Sequence, residues 1–187
     1  ENETGRANLD QIRSTIKRAS ALTSRLLAFS RKQILRPAPI DLNAAIQSTL
    51  PLLQGTLGEH IRVQVVTAEP LPLIRADLGL LQQMLLTMAL NARDAMPNGG
   101  MLEVRTDANN GFVEVEIIDT GVGISPEFLN RIFDPFFTTK GSGRGTGLGL
   151  SVSYGIVKKY DGTIAVRNLD GCGCEFILRF PQNQAER

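Results

Sequence analysis

Tryptophan is absent from this 187-residue chain, aromatic residues make up only 5% of it, and it holds one histidine, His60, and two cysteines. Each scarcity excludes something. Cys172 and Cys174 cannot build the disulfide framework of a small secreted domain. One glycine separates them, too close for an easy disulfide, and no second pair completes a zinc site, so they read as structural thiols. No apolar run approaches the roughly 18 residues that cross a bilayer; Met84 to Leu86 is already interrupted by Thr87. No charged-then-apolar leader opens the chain, so a cytoplasmic, reducing setting without membrane contact is expected. Residues 1–36 carry eight Lys/Arg against three Asp/Glu. They show no alternation of aromatic with basic residues and no groove-reading motif, which argues against nucleic-acid binding. At 42% hydrophobic and 21% charged, the chain is neither disordered nor collagenous, and its length suits one domain with an appendage.

The appendage comes first. Leu9, Ile12, Ile16, Ala19, Thr23 and Leu26 recur in steps of three and four, predicting a helix with a long apolar seam, suited to half of an intermolecular bundle such as a homodimer. Arg36-Pro37-Ala38-Pro39 ends it, since proline lacks an amide donor, and divides the chain into 1–36 and 37–187. Asp41 is placed to cap a helix running to about Leu57, Ile61 to Thr67 alternates as a strand, and Asp77 caps a third helix. That helix has apolar residues around most of its circumference, yet Gln83, Thr87, Asn91 and Asp94 form one polar stripe along it. Strands are expected at Met101–Asp107, Phe112–Asp119, Thr163–Asn168 and Cys174–Phe180, a short helix at Pro126–Ile132 and another over Leu150–Tyr160. The class is therefore α/β (α+β): a mixed, mostly antiparallel sheet with helices on one face.

Three stretches carry chemistry. Asp119-Thr-Gly-Val-Gly-Ile124 leaves a strand with a carboxylate at its tip and two glycines that would let the backbone approach a flat ligand such as a purine. Gly143 to Leu150 alternates glycine into a helix start, where unpaired amides and the positive helix end suit an anion such as phosphate. It is neither the phosphate loop ending in Gly-Lys-Ser/Thr nor a dinucleotide fingerprint. The Asn91 carboxamide could complete the shell of a magnesium ion otherwise held by phosphates and water.

In this order Asn91, Asp119 and the glycine loop resemble the N, G1 and G2 boxes of the GHKL (Bergerat-fold) ATPases, and Leu90-Asn-Ala-Arg-Asp-Ala-Met-Pro97 resembles sensor histidine kinases, hybrid kinases in particular. Phe133-Asp-Pro-Phe-Phe-Thr-Thr-Lys140 is similar to that family's F box, and Leu26 to Arg31 to the end of the second helix of its dimerisation and phosphotransfer hairpin. The resemblance implies a two-layer sandwich binding ATP or ADP with Mg2+. Asp119 would hold the adenine amine and Asn91 the magnesium. Gly121, Gly123 and Ile124 would border the base, and Gly145, Gly147 and Gly149 the phosphates, with Asp94, Phe136, Thr146 and Leu148 also at the nucleotide. The stretch from Phe136 to Gly149 would be an ATP lid, and either Lys140 or Arg144 the cation near the terminal phosphate.

Departures from the family pattern shape the expectation further. Thr87 stands where hydrolysing relatives carry a glutamate, and a threonine hydroxyl is no general base, so hydrolysis should be slow and a share for Thr87 in the metal shell is doubtful. Asp94 replaces a lysine that some kinases use, and Cys174 replaces a threonine. No first hairpin helix precedes Glu1, and His60 reads as a turn or surface residue, so the chain is expected to be a fragment unable to phosphorylate itself. It would transfer phosphate to a histidine on a missing hairpin, for relay to an aspartate of a response regulator or receiver domain. The alternative is a noncatalytic module whose bound nucleotide controls helix pairing.

Overall fold

A computed structural model describes residues 36–140, 145–170 and 172–183. The expected N-terminal helix, Arg144 and Gly171 lie outside the described residues. The two predicted aspartate caps are present. Asp41, in extended backbone, accepts the Ala44 N–H at 3.2 Å and starts α1 (Leu42–Leu57); Asp77 accepts the Leu80 N–H at 3.2 Å and starts α2 (Leu78–Ala95). The third helix, α3, is Gly149–Lys159.

Five strands form the sheet. In chain order they are β2 (Ile61–Val66), β4 (Gly100–Asn109), β5 (Phe112–Asp119), β6 (Thr163–Asn168) and β7 (Cys174–Pro181), arranged β2-β4-β5-β7-β6. Only β2 with β4 is parallel, because a helix joins them; the other neighbours are antiparallel. The β4–β5 hairpin turns through Asn110 and Gly111, both at positive φ, which suits a two-residue turn. Val113, Val115 and Ile117 of β5 and Phe176, Leu178 and Phe180 of β7 face the core, packing with Leu42, Ile46 and Leu53 of α1, Leu81, Met84, Leu85 and Met88 of α2 and Val157 of α3. Each such buried side chain contributes about 1.5–3 kcal/mol, so apolar burial fixes α2 while its remaining stripe stays polar.

The sandwich agrees with the expected class, with two local differences. Ala38–Ile40 (β1) and Ile74–Ala76 (β3) pair as a separate antiparallel ribbon that the sequence reading lacks. Segments of three residues are too short for a periodicity signal. Pro126–Ile132 is not a helix but a run of turns, with Phe128 N–H on Ser125, Arg131 N–H on Phe128 and Ile132 N–H on Phe128. Ile132 is buried and Phe128 sits against Phe137, ring centres 5.5 Å apart, so side-chain packing outweighs a helix too short to recover its nucleation cost. Among the described residues no helix is long and apolar enough to cross a membrane.

Candidate nucleotide site around the C-terminal half of the second helix

The polar stripe of α2 is where the separate motifs meet. At its centre, Asn91 Nδ2 is buried and has no hydrogen-bond partner among the described residues. A buried donor left unpaired costs about 1–3 kcal/mol, so an acceptor beyond the described residues, such as a ligand oxygen, would satisfy it. A half-turn of the same amide presents Oδ1, the atom that a hard cation takes. One turn earlier, Thr87 Oγ1 donates to the Gln83 carbonyl at 2.8 Å, which spends its proton on the helix. Its methyl faces α3: a Cβ on Gly149 would lie 3.0 Å from Thr87 Cγ2 and 4.0 Å from Asn91 Nδ2.

The start of α3 thus rests on the stripe. Its N-cap, Leu148, offers no side-chain acceptor, so the first-turn amides and the positive helix end remain available to an anion. Leu148 N–H reaches Thr146 Oγ1 at 3.4 Å. Gly147, at φ +64°, accepts the Phe136 N–H at 2.9 Å, and a Cβ there would lie 2.5 Å from the Phe136 carbonyl oxygen. Phe136 itself has φ +68° and is 69% exposed, a strained backbone holding an aromatic ring outward.

At the end of the stripe, Asp94 Oδ2 meets Lys140 Nζ at 2.5 Å and Oδ1 accepts from Arg93 Nη2 at 3.1 Å. Burial alone would raise the Asp94 pKa, but the hydrogen bond and charge of Lys140, followed by those of Arg93, hold it below the ordinary value. Lys140, one of the two expected phosphate cations, is therefore paired with a carboxylate here, and Arg144 lies outside the described residues.

Beyond α2 lies the tip of β5. Asp119 is 3% exposed; Oδ1 accepts the Gly121 N–H at 2.8 Å and Oδ2 the Cys174 thiol at 3.1 Å. Burial, then the Asp119 charge and hydrogen bond, push the Cys174 thiol far up, so it stays protonated and donates. Each Asp119 oxygen keeps a second lone pair for an incoming amine. The turn that follows is fastened to α2, for Val122 N–H reaches the Ala95 carbonyl at 3.1 Å. It is fastened to β6 by Asn168, which accepts the Ile124 N–H at 2.9 Å and donates to the Ile124 carbonyl at 2.6 Å.

The expected residues Asn91, Asp94, Asp119, Gly121, Lys140 and Gly149 are thus gathered along one helix, Gly123 and Ile124 follow in the same turn, and Thr146, Gly147 and Leu148 lead into α3. The glycines have a further reason that the sequence reading did not include. A Cβ on Gly121 would lie 2.7 Å from the Ala95 carbonyl, one on Gly123 would lie 3.2 Å from Asn168 Oδ1, and one on Gly145 would lie 2.7 Å from Thr138 Oγ1. These positions are small because the chain meets itself there, not only to admit a ligand. Cys174 on Asp119 and Asn168 on Ile124 escaped sequence reasoning, being 55 and 44 residues from their partners. His60 lies in an exposed turn before β2, outside any helix.

Residues 76–184 match the family model described as histidine kinase-, DNA gyrase B- and HSP90-like ATPase. The chain is 40% identical over 186 residues to the sensor kinase CckA of Brucella abortus, covering 91% of this chain and 20% of that one. It is 38% identical over 185 residues to the two-component sensor PprA of Pseudomonas aeruginosa, covering 92% and 20%. It therefore spans about one fifth of the length of these relatives. Among solved structures, full-length ShkA in complex with AMPPNP superposes with a TM-score of 0.83 at 28% identity, over 98% of this chain and 40% of that one. The chain belongs to the histidine kinase-, DNA gyrase B- and HSP90-like ATPase family, and the relatives it resembles are a sensor kinase and a two-component sensor.

Proposed function

We propose that this chain is the ATP-binding catalytic part of a two-component sensor histidine kinase. It would transfer the γ-phosphoryl group of ATP to a histidine of a helical hairpin other than its own His60, for relay to a response-regulator aspartate. Residues 1–36 would be the second helix of that hairpin and pair with another copy, and 37–187 would be the catalytic domain, working in the cytoplasm. The observation that carries this reading is the buried Asn91 Nδ2, without a partner among the described residues, set beside the uncapped start of α3 and one helical turn from the Asp94–Lys140 pair.

In this reading Asp119 accepts the adenine amine, with its orientation fixed by Gly121 and Cys174. Gly123 and Ile124 flank the base, and the first-turn amides of α3, reached through Gly145, Thr146, Gly147 and Leu148, take phosphate oxygens. Mg2+ held through Asn91, with phosphate oxygens and water completing its shell, would neutralise phosphate charge. Among the described residues no three His, Cys, Asp or Glu side chains gather to hold a cation by themselves. Lys140 exchanges Asp94 for the terminal phosphate and offsets charge that develops during transfer. Thr87, its hydroxyl proton on the Gln83 carbonyl, is no general base for water, so hydrolysis should be slow.

Calorimetry with ATP and ADP in magnesium tests the site. Wild type is expected to bind, and Asp119→Asn, which swaps a charged acceptor for an amide whose nitrogen only donates, to bind about ten- to a hundredfold more weakly. Equal binding by wild type and Asp119→Asn would refute the placement of the base. A histidine-bearing hairpin supplied with labelled ATP tests transfer: acid-labile label on the hairpin supports it, whereas tight ADP binding without label supports a nucleotide-sensing module.

A further inference from the structure

Between Gly121 and Ser125 the chain has no regular secondary structure, yet the nucleotide reading requires this stretch to stand as a fixed wall beside a flat base. Its near end is held by Asp119 and Ala95. Its far end is Ile124, both of whose backbone polar groups are met by one side chain, Asn168: Oδ1 accepts its N–H at 2.9 Å and Nδ2 donates to its carbonyl at 2.6 Å. An amide is the side chain whose donor and acceptor lie side by side as a strand partner's do. Asn168 also lies directly against Gly123, where an added Cβ would stand 3.2 Å from Oδ1.

Asn168 is itself well anchored. It ends β6 opposite Cys174 in the β6–β7 ladder, and the next residue, Leu169, donates its N–H to the Gly173 carbonyl at 3.1 Å. Cys174 in turn holds Asp119. One rung of the ladder therefore grips both ends of the segment from Asp119 to Ile124, one end by a thiol and the other by an amide. We infer that Asn168 is a positioning residue for nucleotide binding that, with Cys174 across the rung, sets the distance between the Asp119 carboxylate and the Ile124 wall. The inference rests on the nucleotide reading above. Asn168 is exposed, so water can satisfy Ile124 once the amide is gone; what is lost is the fixed geometry rather than the fold.

The test measures displacement of a fluorescent ATP analogue from the 187-residue chain by ATP and by tripolyphosphate, which has no base, both with Mg2+. In Asn168→Ala, ATP is expected to bind about tenfold more weakly, about 1.4 kcal/mol, while tripolyphosphate displaces as in wild type. Asn168→Asp, nearly the same shape, is expected to lose as much, because a carboxylate cannot donate to the Ile124 carbonyl. Unchanged ATP affinity in Asn168→Ala, wild-type affinity in Asn168→Asp, or equal weakening of ATP and tripolyphosphate would each overturn the positioning role, the last by showing general loosening. Circular dichroism and thermal unfolding establish that each variant is folded, and Asn168→Asp carries the test if Asn168→Ala is not. A wild type that ignores ATP would instead remove the nucleotide reading, and this inference with it.

Discussion

Replacing Asp94 by asparagine isolates one feature of the proposed site, a carboxylate near the C-terminal end of α2 that holds Lys140 at 2.5 Å. The two side chains are 32% and 35% exposed, so water screens the pair and its worth is about 0.5–1 kcal/mol rather than the several of a buried one. For Lys140 to reach a phosphate that attraction must be given up, and Asp94 must then face phosphate charge. Asp94→Asn removes both obstacles. With EDTA present, it is expected to bind ATP about two- to fivefold more tightly than wild type, and the gain should shrink in Mg2+ and in high salt. Titration of a fluorescent ATP analogue at several salt concentrations reads this directly. The same variant carries a pH signature. Because the Asp94 pKa is lowered by folding, its contribution to stability is present above the ordinary value of 3.8 and fades as pH falls through the lowered one. Urea unfolding should therefore show Asp94→Asn less stable than wild type by up to about 1 kcal/mol at pH 7, with the gap closing only as the pH falls well below 3.8. Weaker ATP binding by Asp94→Asn, with and without metal, would refute the counter-ion argument and make Asp94 a ligand for the nucleotide or its metal.

Three further outcomes follow from the packing. Gly147→Ala forces a side chain into φ +64° and onto the Phe136 carbonyl, so it should destabilise the chain by more than about 1 kcal/mol, seen as a fall of several degrees in Tm; an unchanged Tm would show that the Phe136–Gly147 contact is slack. Cys174, whose pKa folding raises above the ordinary 9.0, keeps its proton while an unfolded chain would lose it, so wild-type stability should decline as pH rises past about 9, and less so in Cys174→Ala. In an alkylation time course Cys172, which is exposed, should react well before the buried Cys174; simultaneous reaction would contradict the contact with Asp119.

Much of this molecule was legible from local pattern. Asp41 and Asp77 announce helix starts because a short acidic side chain next to an apolar stripe satisfies free amides, an interaction confined to a few consecutive residues. The alternation in Phe112–Asp119 and Cys174–Pro181 reports one buried face of a sheet, and Asn91, Asp119 and the glycine run are recognisable because their chemistry lies in short, ordered stretches. Pro126–Ile132 misled for the converse reason: its local pattern suits a helix, but the burial of Ile132 and the Phe128–Phe137 contact decide its shape.

Sequence by itself determined the class of fold, the two aspartate-capped helix starts and the family, and it singled out the candidate nucleotide residues, since each depends on neighbours along the chain. Tertiary structure alone decided that Lys140 rests on Asp94, that Cys174 holds Asp119, that Asn168 holds Ile124, and that the glycines are small because the chain crosses itself there. The three side-chain contacts join residues 44 to 55 positions apart, and no local propensity encodes a pairing that exists only once the sheet and α2 have brought both partners to one place.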